Sequence, residues 1–114
     1  MGMNLQVADI SQDAVRVTLK GRLDIAGAAE IDLPFNTVIG SKRGVVVDLS
    51  DVTFLASIGI RVLVLGAKQL QRRGGNLVLL SPHPVAEKVL EMAGITDILI
   101  IVRDEASAVA AVTA

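Results

Sequence analysis

The sequence predicts an α/β fold: a mixed β-sheet with packed helices in the order β-β-α-β-α-β-α-β-α. Three observations carry this reading. Two opening segments alternate apolar and polar residues at period two. Val45-Val46-Val47-Asp48-Leu49 is a continuous β-branched run of the kind found in strands covered on both faces. Helical stretches with recognisable start and stop residues lie between the later strands. A hairpin followed by alternating helices and strands implies antiparallel pairing at the hairpin and parallel pairing elsewhere, joined by right-handed crossovers. With 114 residues the chain has the size of one domain, 1–114, with its core over about 4–112.

Leu5 to Ile10 and Val15 to Leu19 are the hairpin strands, joined by the turn residues Ser11-Gln12-Asp13, and Gly21 closes the second. Asp24 is placed to cap a helix that reaches about Ile39, with Pro34 expected to bend or restart it. Gly40 to Gly44 form a loop before the Val45–Leu49 strand. A turn at Ser50-Asp51 follows, and Val52 to Leu55 lead into a helix from Ser57 to Arg73 that Gly74-Gly75 terminate. Asn76 to Leu80 form the next strand. Pro84 opens a helix to Met92, with Gly94 just beyond its end. Asp97 to Val102 are the last strand, and Asp104 caps an Ala-rich tail helix with Val109 and Val112 on one side.

Composition removes several classes of function. The apolar residues make up 52% of the chain, enough for a packed core, yet only two are aromatic, both Phe. Eleven Lys and Arg against twelve acidic residues leave no field to attract a polyanion, so direct nucleic-acid binding is not expected. Without cysteine and with His83 as the single histidine, no metal site or cofactor is expected. No run approaches the roughly 20 apolar residues that span a bilayer. The start lacks a secretory pattern, so a cytoplasmic protein is expected.

The chemistry concentrates where the third strand meets the second helix. Ser57 opens that helix and its hydroxyl is a natural N-cap. The first-turn amides lack intrahelical partners, and the helix dipole adds about half a positive charge there. A phosphate on Ser57 would therefore meet a favourable anion environment. Gly59 just inside the helix suggests a close approach by backbone or partner. Ser57, Arg61, Lys68 and Arg72 fall along one polar stripe. Val62, Leu63, Leu65 and Leu70 are core candidates. Ile58 and Ile60 can form an exposed apolar patch that serves either partner docking or a homodimer. A serine opening a helix is more often only a cap, and a basic stripe more often a solvated face.

Gly21-Arg22-Leu23-Asp24, Val46 through Ile60, Arg72-Arg73-Gly74-Gly75-Asn76-Leu77 and Val89 through Ile95 stand in order over nearly the whole chain. Together they resemble the anti-sigma factor antagonists of the STAS group (sulfate transporter and anti-sigma factor antagonist domains). The resemblance implies a mixed sheet with helices and a non-enzymatic, partner-switching regulator. In that family the antagonist binds an anti-sigma factor that is also a serine kinase. The kinase phosphorylates the serine opening the helix, which corresponds to Ser57, and a serine phosphatase resets it. The implied partner-binding residues are Asp24, Ala56, Ser57, Ile58, Gly59 and Arg61. The family's usual run is Phe, aliphatic, Asp, Ser, Ser or Thr, Gly; here Ala56 replaces the Asp and Ile58 the second hydroxyl. Either a matched kinase still phosphorylates Ser57, or the chain binds without a switch, as an accessory subunit of a transporter or sensory complex. An enzymatic reading is weak. Leu55-Ala56-Ser57-Ile58-Gly59 lacks the first glycine of a nucleophile elbow, and His83 lies between two prolines.

Overall fold

The computed structural model describes residues 2–113. The elements run β1 (Asn4–Asp9), β2 (Ala14–Leu23), α1 (Ile25–Ser41), β3 (Gly44–Leu55), α2 (Ser57–Arg72), β4 (Asn76–Leu80), α3 (Pro84–Met92), β5 (Ile100–Val102) and α4 (Glu105–Thr113). The five strands lie side by side in chain order. β1 pairs antiparallel with β2, and β2 to β5 pair in parallel. Each parallel crossover therefore advances one strand in the same direction.

The register explains where the core sits. Val15, Val45 and Leu77 stand side by side across three strands, as do Val17, Val47 and Leu79. All six are buried, on the face that Ile31, Phe35 and Ile39 of α1, Leu63 and Leu70 of α2, and Ala86 and Leu90 of α3 cover. The alternate residues Val46, Val78 and Leu80 point to the other face, where Ala108, Ala111 and Val112 of α4 cover them. The tail helix is thus the cover of a second, smaller core. Asp104 starts it as expected, accepting from the Ser107 amide (2.9 Å). Val112 joins this small core, and Val109 is half-buried.

Several boundaries differ from the sequence reading. β2 does not stop at Gly21, which takes φ +120 and lets the strand run on to Leu23 through an irregular register. Ser50-Asp51 do not break β3. The carboxylate of Asp48 accepts the Ser50 amide (2.9 Å) and hydroxyl (2.7 Å), and the strand absorbs the extra residue as a bulge. Pro34 does not restart α1, which continues to Ser41 and takes in Gly40. The last strand is only Ile100–Val102, because Thr96 to Ile98 turn, with the Ile98 and Leu99 amides donating to the Ile95 carbonyl. α2 ends at Arg72, one residue early, with Gly74 at φ +79 and the Gly75 amide on the Leu70 carbonyl. Among the described residues, no helix is long and apolar enough to cross a membrane.

Candidate functional site

Parallel neighbours end at the same sheet edge, so β2 and β3 deliver the starts of α1 and α2 side by side. The Ala56 amide donates to the Leu23 carbonyl (3.0 Å), which ties the two strand ends together. Asp24 follows Leu23 and caps α1, its carboxylate accepting the Gly27 amide at 2.8 Å. That bond, above all, holds the Asp24 carboxyl below its ordinary 3.8, and the Arg22 guanidinium, 3.6 Å away, adds to it against partial desolvation. Arg22 also lies over the Phe54 ring, 4.2 Å from its centre. Arg22, Asp24, Ile25, Phe54 and Ala56 border a recess of about 400 Å³ at this edge.

Ser57 occupies the first turn of α2 and is exposed. It is not the N-cap. That position is Ala56, with extended φ −94 and ψ 167, which has no side-chain atom to accept a hydrogen bond. Among the described residues the Ser57 hydroxyl has no hydrogen-bond partner. Ile58 beside it is exposed at 38%, but Ile60 and Val64 pack against the core. The apolar patch is therefore not Ile58 with Ile60; it is Ile58 with Ile25, 78% exposed across the groove between α1 and α2.

Gly59 faces inward. A Cβ there would lie 2.6 Å from Cγ of Leu23 and 2.9 Å from Cδ1 of Leu55, so glycine lets α2 settle onto β2 and β3. Gly59 is buried, and the close approach expected there is made by Leu23 and Leu55 beneath the helix. Arg61 is exposed and, among the described residues, has no carboxylate within salt-bridge reach. Of the helix residues expected in the core, Leu63 and Leu70 are buried and Val62 is half-buried. Leu65 is 50% exposed, on the outer stripe with Arg61 and Lys68. His83 caps α3, its ring Nδ1 accepting the Val85 amide at 3.2 Å.

A model of the STAS domain matches residues 6–108. The chain belongs to the STAS domain family. BtrV of Bordetella bronchiseptica, a protein named as an anti-sigma factor antagonist, is 32% identical over 94 residues, covering 82% of this chain and 81% of BtrV. The crystal structure of an anti-sigma factor antagonist from Mycobacterium paratuberculosis superposes with TM-score 0.87 at 21% identity, over 98% of this chain and 95% of that one. SpoIIAA of Bacillus, in its unphosphorylated form, gives TM-score 0.77 at 21% identity, over 91% and 92%. At such identities the two structures establish the fold.

Sequence reasoning placed Asp24, Ala56, Ser57, Ile58 and Arg61 of this STAS chain, and all five lie at this edge or on the adjoining outer stripe of α2. It missed Ile25, Arg22 and Phe54. Ile25 was legible as a large aliphatic residue directly after a cap. Phe54 was not, because period two puts it on the same face as Val52. The irregular register at Gly21/Arg22 opposite Val52/Phe54 turns Phe54 out while Val52 and Leu55 stay buried.

Proposed function

We propose that this STAS chain is an anti-sigma factor antagonist that works by partner switching. It binds an anti-sigma factor through Asp24, Ile25, Ala56, Ser57, Ile58 and Arg61, and lets go when a serine kinase phosphorylates Ser57. The observation that carries the reading is an exposed, unbonded serine hydroxyl in the first turn of α2, flanked by the exposed apolar pair Ile25 and Ile58. The relatives support it: BtrV and a protein of Lysinibacillus sphaericus carry the name of antagonist, and SpoIIAA has a phosphorylated form. The chemistry is direct. A phosphate adds about −1.5 to −2 charges. On a surface that must bury Ile25 and Ile58, that charge would have to be desolvated, which opposes the complex. A serine phosphatase would restore the binding form.

Ala56 favours a second reading, in which the chain is an unphosphorylated accessory subunit of a transporter or sensory complex, since the carboxylate usual beside the phosphoacceptor is missing. Incubation with ATP and the serine kinase encoded nearest the gene, followed by mass spectrometry, separates the two. We expect phosphate on Ser57, capture of the anti-sigma factor by wild type and Ser57→Ala, and loss of capture by Ser57→Asp. A kinase active on another substrate that leaves Ser57 unmodified removes the switch. Failure of every form to capture an anti-sigma factor removes the antagonist role.

A further inference from the structure

The outer face of α2 is unusual in what it combines. Its sequence holds Arg61, Lys68 and Arg72 and no acidic residue. Among the described residues, none of the three basic side chains has a carboxylate within salt-bridge distance. Ile58 and Leu65, seven residues apart, stand exposed at 38% and 50% on the same stripe, the repeat by which one helix meets another. Beside the stripe, Ile25, Ala28, Ala29, Asp32, Ile58 and Val62 line a cavity of about 370 Å³ between the first halves of α1 and α2. A second cavity of about 400 Å³ lies between the far ends of the same helices and reaches Arg72. Small residues, Ala28 and Ala29 at one end and Gly40 at the other, make it a groove where larger side chains would have closed it. Asp32, the one carboxylate among the residues lining it, accepts a hydrogen bond from Asn36 (3.1 Å).

We infer that this groove receives an acidic amphipathic helix from a protein partner. Aliphatic side chains of that helix rest on Ile25, Ala29, Ile58 and Val62, and its carboxylates face Arg61, Lys68 and Arg72. Charge decides the occupant: a basic or neutral helix would leave the three cations of α2 unpaired at the interface, whereas an acidic one pairs them. The available length suits about four turns, since α2 offers 16 residues at about 1.5 Å each. The inference draws on the proposed antagonist role only for the identity of the partner protein; the groove and its charge stand without it.

The test uses the purified chain as bait for a displayed library of randomised helical peptides. Enriched peptides are expected to carry aliphatic residues at i, i+3 or i+4, and i+7, together with net negative charge. Their affinity should fall with added salt, and by about tenfold or more in Ala29→Glu and in Ile25→Glu, both at exposed positions. Leu33→Glu, at a 77% exposed position that does not line the groove, should leave affinity unchanged. Circular dichroism and thermal melting verify that each variant is folded. The inference is overturned if no helical peptide is enriched, if enriched peptides are neutral or basic, or if both groove variants bind as well as wild type. None of those results depends on whether the chain captures an anti-sigma factor, so the two proposals fail separately.

Discussion

Two helices begin side by side at the carboxyl edge of the sheet, and they begin in opposite ways. α1 starts with a carboxylate cap, Asp24 holding the Gly27 amide. α2 starts at Ala56 with no side-chain cap, leaving its first-turn amides without a side-chain acceptor. α2 is held instead by packing: Gly59 is pressed against Leu23 and Leu55, and the Ala56 amide is tied to the Leu23 carbonyl. The contrast separates two jobs. α1 is packed from beneath and capped as well, whereas α2 has the packing alone, so no side chain covers its amino end beside Ser57.

The largest effect should come from removing what holds α2 from beneath. Leu23→Ala, at a fully buried site, should cost roughly 2–5 kcal/mol of stability. Gly59→Leu should cost about 1–3 kcal/mol by overpacking. Urea melts measure both, and near-neutral results would mean that the start of α2 is held some other way. A smaller, opposite-signed pair follows from the caps. Ala56→Ser should stabilise by about 1 kcal/mol by supplying the missing acceptor. Asp24→Ala should lower the thermal midpoint by a few degrees. If Ala56→Ser brings no gain, the uncapped start is not a real deficit.

The smallest effect is in acid. Asp24 and Asp104 are held below their ordinary 3.8 by hydrogen bonds from Gly27 and Ser107, and Glu87 below 4.5 by Arg103. Because the folded values are depressed, this stabilisation is complete above the ordinary values and is lost as pH falls through the folded ones. Stability should therefore hold from neutral pH to about 4.5 and decline below it. Asp24→Asn should flatten the decline. An unchanged acid profile would show that the cap's charge contributes nothing.

Most of the architecture was legible because burial imposes period: the runs Val45–Leu49 and Asn76–Leu80 can only be strands covered on both faces, and each helix carries punctuation at its ends. What escaped was set by tertiary context. The bulges in β3 depend on its pairing with β2, which local sequence does not contain, so Ser50-Asp51 read as a turn and the outward placement of Phe54 was not legible. Pro34 lies on the exposed side of α1, where packing beneath keeps the helix continuous. Ser57 read as the cap because its hydroxyl suits that role, yet the cap position falls one residue earlier, at an alanine with no side-chain acceptor. At the site, residue types pointed to Asp24 and Ser57. Only three-dimensional placement joined Ile25 to Ile58 and removed Gly59 from the surface.

The strand order gives the molecule a direction of growth. Because every strand after the first is laid beside its immediate predecessor, the sheet can assemble in the order in which the chain leaves the ribosome, and no strand waits for a later one to be inserted between neighbours. Assembly by accretion of this kind needs a stop. The three-residue β5 provides one, presenting too short an edge for a further strand to join.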